Sequence, residues 1–183
     1  LQLLWDGVVE LGLIAWPCHG TSARELSVLA TFSEPVVLVV APTHALAKKR
    51  GVTTSDLVRL GRPLLKLRWW QAHEPALLRL AEKTGVSLEV PMEAARYLVR
   101  DSTAVGFFPR TYVAEDLERG PLVEVRIRDL KPFERGSALV RRTSESPLSP
   151  AAAALTHAIE VQAKRIGLRD TARRSRANVA SRS

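Results

Sequence analysis

Residues 86–109, VSLEVPMEAARYLVRDSTAVGFFP, decide the fold. Val86, Leu88 and Val90 alternate with Ser87 and Glu89, which is the period of a strand with one face buried. Pro91 closes that run, and Ala95, Leu98 and Val99 then share one helical face until Asp101 and Ser102 break it. Ala104 to Phe108 is apolar again and reads as a strand. Strand, helix and strand in one stretch predict a right-handed crossover between parallel strands, the unit from which α/β folds are built.

The same grammar extends in both directions. Upstream, Thr53 followed by Asp56 resembles a capping box, with Leu57 and Leu60 on a short helix that Gly61 stops. Leu64–Leu67 (LLKL) follows as a strand. Pro75 occupies a first helical turn, Leu77, Leu78 and Ala81 share a face, and Gly85 caps the end. The run Val36–Ala41 is rich in valine and apolar on both faces, as expected of a strand covered from both sides, and Leu11–Ile14 reads as another short strand. Downstream, Pro109 opens a third helix with Val113 and Leu117 four apart, stopped by Gly120-Pro121. Leu122–Arg128 alternates as a half-exposed strand with Ser137–Arg142 as its partner, and Ser149-Pro150 begins a helix carrying Leu155, Ile159 and Ile166 as far as Gly167. The expectation is an α/β fold with a largely parallel sheet. Residues 44–121 form one lobe, residues 1–43 with 122–167 form the other, and two connecting strands link them. Ligands of such folds bind beyond the carboxyl ends of strands, in the crevice where lobes meet.

Composition narrows the function. Of 183 residues 46% are hydrophobic and 25% charged, the balance of a globular protein with a real core. The longest apolar run, Pro35 to Pro42, is far shorter than a membrane-spanning helix requires, so no membrane partner is expected. A single cysteine, Cys18, excludes a disulfide-stapled fold and a cysteine zinc cage, and fits a reducing, cytoplasmic setting. Half of the net charge of +8 comes from residues 168–183, where Arg169, Arg173, Arg174, Arg176 and Arg182 face only Asp170. That segment reads as a disordered basic tail. The sequence opens on Leu1 with no signal peptide, and reads as a piece of a longer chain.

No enzyme signature stands out. His19 beside Cys18 has no acidic partner at helical or loop spacing. Glu93 and Asp101 flank one helix and so lie near its opposite ends, unlike a hydrolase carboxylate pair. There is no nucleophile elbow, phosphate-cradling loop or zinc-protease helix, and neither a cofactor nor a metal is expected. The most suggestive group is Arg68-Trp69-Trp70, directly after the Leu64–Leu67 strand. An arginine fork can hold a carboxylate by two parallel hydrogen bonds, and an indole supplies a flat apolar wall. Trp16-Pro17 likewise follows the Leu11–Ile14 strand. For both groups, packing in the core or a loop competes with a binding role.

At this point the motifs resemble the effector-binding domain of LysR-type transcriptional regulators. Gly7 with Glu10-Leu11-Gly12 and Ile14 is similar to that family's "G, then L-D-L-G-I" strand, with Glu10 in place of Asp. Pro42-Thr43-His44-Ala45-Leu46-Ala47 resembles its "P, then H-P-L-A" hinge signature, with Ala45 in place of Pro. Val105-Gly106-Phe107-Phe108-Pro109 resembles its "G-x-G-V-G-F-L-P" turn, with Ser102 and Ala104 at the first two glycine positions. Leu117-Glu118-Arg119-Gly120-Pro121-Leu122-Val123 and Leu148-Ser149-Pro150-Ala151-Ala152 resemble "L-x-x-G-x-L-V" and "L-S-P-A-A". Five motifs in order span about residues 4–166.

The resemblance implies a two-lobed, type 2 periplasmic-binding-protein-like fold whose first lobe is incomplete at its N-terminus here. It implies a small-molecule effector held between the lobes at strand ends, which nominates Ala15, Trp16, Pro17, Leu67, Arg68, Trp69, Met92, Glu93, Gly106, Phe107 and Phe108. Pro42 and His44 become hinge residues, with His44 a hydrogen-bonding residue of a turn or between lobes. Arg68 favours a carboxylate or aromatic acid, whereas Glu93 in the same cleft favours a zwitterion or cation. Promoter DNA, met through an upstream helix-turn-helix, a homodimer or homotetramer, and RNA polymerase are the implied partners. The alternative of the same fold is an extracytoplasmic solute-binding protein of a transporter, and an enzyme of the same α/β class is a third reading.

Overall fold

A computed structural model describes residues 1–17, 25–67, 75–85, 87–143 and 146–170. The chain divides into two compact units, residues 1–34 with 135–183 and residues 35–134. It passes from one to the other inside two strands, β2 (Leu26–Val40) and β7 (Phe133–Arg142).

In the second unit, Val36–Val40 of β2 is buried throughout, with Val39 and Val40 wholly inaccessible. One edge of this segment pairs antiparallel with β5 (Val105–Pro109), Val36 opposite Pro109 and Val39 opposite Gly106. It also pairs antiparallel with β6 (Val123–Val125), Val40 opposite Val123. β3 (Leu64–Leu67) lies parallel to both β5 and β4 (Ser87–Val90). The helices are α2 (Thr54–Leu60), α3 (Pro75–Thr84), α4 (Met92–Arg100) and α5 (Ala114–Arg119). Leu57, Leu77, Ala95 and Val99 bury their inner faces in one core with Leu64, Leu65, Val105 and Phe108.

The first unit pairs β1 (Gly12–Trp16) antiparallel with β7, from Gly12 opposite Val140 to Trp16 opposite Gly136. A Cβ on Gly136 would lie 2.2 Å from the Trp16 carbonyl oxygen, so only glycine permits this approach. Phe32 and Ser33 of β2 pair with β8 (Arg169–Asp170). A short α1 (Gln2–Trp5) and the long α6 (Pro150–Arg165) complete the unit. The Glu10 carboxylate accepts hydrogen bonds from the backbone N–H and the hydroxyl of Ser149, at 2.8 and 2.6 Å, and these bonds hold it below the usual carboxylate pKa. The Ser149 hydroxyl in turn accepts from the Ala152 N–H, so two of the sequence motifs meet at the start of α6.

Several expectations need correction. The sheet is mixed: among the described pairings, β3 with β4 and β3 with β5 run parallel, while β1 with β7 and β2 with β5, β6 and β8 run antiparallel. β2 begins at Leu26 instead of Val36, because Thr31 and Ser33 are buried in mid-strand and Pro35 continues the extended chain. The units therefore part at Glu34/Pro35 and Glu134/Arg135, not at 43/44 and 121/122, and β6 belongs with the strand it pairs. Pro109 ends β5, and the third helix starts only at Ala114. Arg169 and Asp170, assigned to a disordered tail, are strand residues, while residues 171–183 lie outside the described residues.

The Thr53 hydroxyl and the Asp56 carboxylate complete the capping box at α2. Thr53→Ala is expected to cost about 1 kcal/mol, lowering the urea midpoint without changing the slope of the transition.

Candidate functional site

The parallel arrangement of β3, β4 and β5 brings Leu67, Val90 and Pro109 to one edge of the second unit. Pro91 is the N-cap of α4 immediately after β4, so Met92 and Glu93 stand at this edge in the first turn of the helix. Leu67 is buried, Met92 half-buried against the core, and Glu93 exposed. Arg68 and Trp69, which directly follow Leu67, lie outside the described residues, as do Cys18, His19 and Trp70.

Glu93 takes part in a polar network that runs inward from the edge. Its carboxylate accepts a hydrogen bond from the Tyr112 hydroxyl and lies 3.6 Å from Arg96. Arg96 donates to both carboxylate oxygens of Asp116, at 2.5 and 3.2 Å, and Arg100 approaches the same carboxylate at 3.8 Å. Asp116 is only 3% exposed, so its charge is held by a bidentate partner instead of by water. Its hydrogen bonds raise the Arg96 pKa. The Tyr112 ring stacks on Phe108 at 6.1 Å with 10° between planes, and Arg96 sits 5.9 Å above it. Burial first, and then the hydrogen bond to the Glu93 carboxylate, push the Tyr112 hydroxyl up to about 12.

This network was not singled out from the sequence. Its signal is the spacing of Glu93, Arg96 and Arg100, which share a helical face, together with Tyr112 and Asp116 four residues apart. What the sequence does not show is that these two segments pack together.

Gly106, Phe107 and Phe108 were expected to face a ligand; Gly106 and Phe108 instead pack into the core, whereas Phe107, although mostly buried, lines a cavity beneath residues 126–133. Phe108 is fully buried, and Gly106 is the residue that makes room for it, since a Cβ there would lie 2.6 Å from the Phe108 ring. Phe107 is 3% exposed and meets the edge of Phe133. In the first unit, Ala15 and Trp16 end β1 and Pro17 follows exposed. Trp16 is half-buried against Leu4, Leu26, Ala138 and Val140.

Pro42 and His44 also need correction as hinge residues. They follow the end of β2, and because β2 runs antiparallel to β5 they lie at the opposite edge from Leu67 and Pro109, inside the second unit. His44 is a turn residue. Its Nδ1 accepts from the Leu46 N–H at 3.2 Å, and burial lowers its pKa, partly offset by a hydrogen bond to the Leu60 backbone. Nearby, Ser102 adopts φ 60°, a left-handed backbone that favours glycine, and its hydroxyl lies 2.5 Å from that of Thr43.

Comparisons with known proteins agree with this architecture. The sequence profile described as the LysR substrate binding domain matches residues 1–163. A probable nitrogen assimilation transcriptional activator from Synechocystis is 24% identical over 161 residues, covering 83% of this chain and 52% of that protein. The chain thus spans about half the length of the curated relative it matches. Among solved structures, the regulatory domain of MetR, a LysR family regulator from N. meningitidis, superposes with a TM-score of 0.68 at 18% identity, covering 92% of this chain and 78% of that one. The reduced form of OxyR from N. meningitidis gives 0.66 at 18% identity, over 92% and 79%. The effector binding domain of QuiR in complex with shikimate gives 0.58 at 18% identity, over 84% and 71%.

Removing the carboxylate from the buried pair should leave Arg96 with only the exposed Glu93 carboxylate at 3.6 Å. Asp116→Ala is expected to cost about 3 kcal/mol, measured by urea denaturation at pH 7. Because the folded chain holds the Tyr112 proton more tightly than the unfolded chain, the stability linked to the Tyr112 hydroxyl is complete below about pH 10 and is lost as pH rises toward about 12. Tyr112→Phe should remove that alkaline loss of stability, as followed by circular dichroism.

Proposed function

The chain belongs to the LysR substrate binding domain family, and from that premise we propose that it is the effector-sensing part of a bacterial transcription regulator. The observation that carries the reading is the family match over residues 1–163, supported by a fold shared with LysR regulatory domains of the type 2 periplasmic-binding-protein-like class. The transporter alternative is not favoured, since the curated relative is a transcriptional activator and the solved neighbours named above are regulatory domains.

In this reading a small organic effector binds at the strand ends marked by Ala15, Trp16 and Pro17 in the first unit and by Leu67, Arg68, Trp69, Met92 and Glu93 in the second. Arg68 holds the effector's carboxylate, the indoles form apolar walls, and Glu93 accepts from a donor such as an amine or hydroxyl. Shikimate, the ligand of the QuiR domain, is a small hydroxylated carboxylate of this kind. A regulator responds only if the effector binds one of its arrangements more tightly than another. The whole protein would pass that preference to promoter DNA as a homodimer or homotetramer. The role is regulatory, not catalytic.

Calorimetric titration with a panel of small carboxylates, zwitterions and amines, shikimate included, tests the proposal. A carboxylate is expected to bind, and Arg68→Ala to weaken it about tenfold or more while the far-ultraviolet spectrum is unchanged. Equal affinity in that variant removes Arg68 from the site, and a panel in which only amines bind overturns the carboxylate assignment.

A further inference from the structure

We propose that the second unit carries another small-molecule site, for an organic anion with an apolar body of about one ring, in a cavity of about 330 Å³ beneath residues 126–133. The proposal does not rest on the effector reading, because it uses none of Leu67, Arg68, Trp69, Met92 and Glu93.

The cavity is a product of the chain's path. Pairing places Phe107 beside Leu38 on β2, β6 ends at Val125, and the chain then arches over before Phe133 starts β7. Phe107 and Phe133 meet edge to face, with centroids 5.9 Å apart and planes at 87°, and with Ile127 they make a rigid apolar floor. Three cations, Arg126, Arg128 and Lys131, stand on the rim.

Glu124 also lines the cavity, so the rim sets three cations against one carboxylate. The neighbouring acids are already engaged elsewhere: Glu124 with Arg110 at 3.2 Å, and Asp129 with the backbone N–H and hydroxyl of Thr54 at 2.8 and 2.7 Å. Among the described residues no ion pair or side-chain hydrogen bond occupies Arg126, Arg128 or Lys131. Arg128 is also positioned, since its backbone N–H donates to the Val52 carbonyl and its stem lies over Gly51, where a Cβ would come within 3.1 Å of its Cδ. Three unneutralised cations over an apolar hollow attract an anion and leave its hydrophobic part a surface to cover. The volume is at the small end for a ligand pocket, which selects a compact aryl or alicyclic carboxylate over a nucleotide.

Benzoate is the probe, with benzyl alcohol as its uncharged counterpart, titrated at low salt by calorimetry and ligand-observed NMR. Benzoate is expected to bind, benzyl alcohol to bind at least about tenfold more weakly, and added salt to weaken benzoate alone. The triple variant Arg126→Ala/Arg128→Ala/Lys131→Ala should lose at least about tenfold in benzoate affinity with its thermal midpoint retained, and Lys131→Glu should act in the same direction. In Arg68→Ala, which weakens carboxylate binding at the proposed effector site, a benzoate-binding event that the triple variant abolishes should persist, which separates the two sites. No benzoate binding up to about 10 mM, an unaffected triple variant, or a loss confined to Arg68→Ala each overturns the proposal.

Discussion

The burial of β2 from Val36 to Val40 on both faces is the constraint on which the second unit depends. A strand with no exposed face must have its backbone groups paired and both of its surfaces covered. β5 and β6 meet the first need, and the helices and the arch over Phe107 meet the second. The remaining placements follow from this strand. β5 fixes β3, β3 fixes β4, and the parallel run of these three sets the edge at which Leu67, Met92 and Glu93 stand.

The edge is supported from within. Asp116, Arg96, Tyr112 and Glu93 link α5, α4 and the turn after β5, so the first turn of α4 is held by fixed hydrogen bonds as well as by apolar packing. A binding position carried on a helix whose own support is locked keeps its geometry better than one on a free loop. The buried pair also constrains packing, since Asp116 has no water to replace Arg96 if the helices shift.

The solved relatives share this fold at 18% identity, so the chain keeps a pattern more than it keeps residues. Ser102 illustrates the point. It stands at a motif glycine and adopts the left-handed backbone that explains the glycine preference, with a hydroxyl contact to Thr43 in its place. Ala104, at the other glycine position, is buried without a left-handed backbone and has no comparable need.

Much of the local structure was legible in the residues themselves. The caps at Thr53 and Ser149, the glycine stops at Gly85 and Gly120, and the apolar faces of α3 and α4 appear where short-range rules place them, because each involves groups within one or two turns of chain. The length of β2 was not legible, because Ser33, Glu34 and Pro35 interrupt the apolar pattern and are tolerated only beside the strands they meet. The inward rings of Phe107 and Phe108, the opposite-edge position of His44 and the Asp116–Arg96 pair were hidden for the same reason. Periodicity says which face of a segment avoids water, but strand direction, strand neighbours and a carboxylate's distant partner are chosen by contacts between segments far apart in sequence, and only the folded chain brings those together.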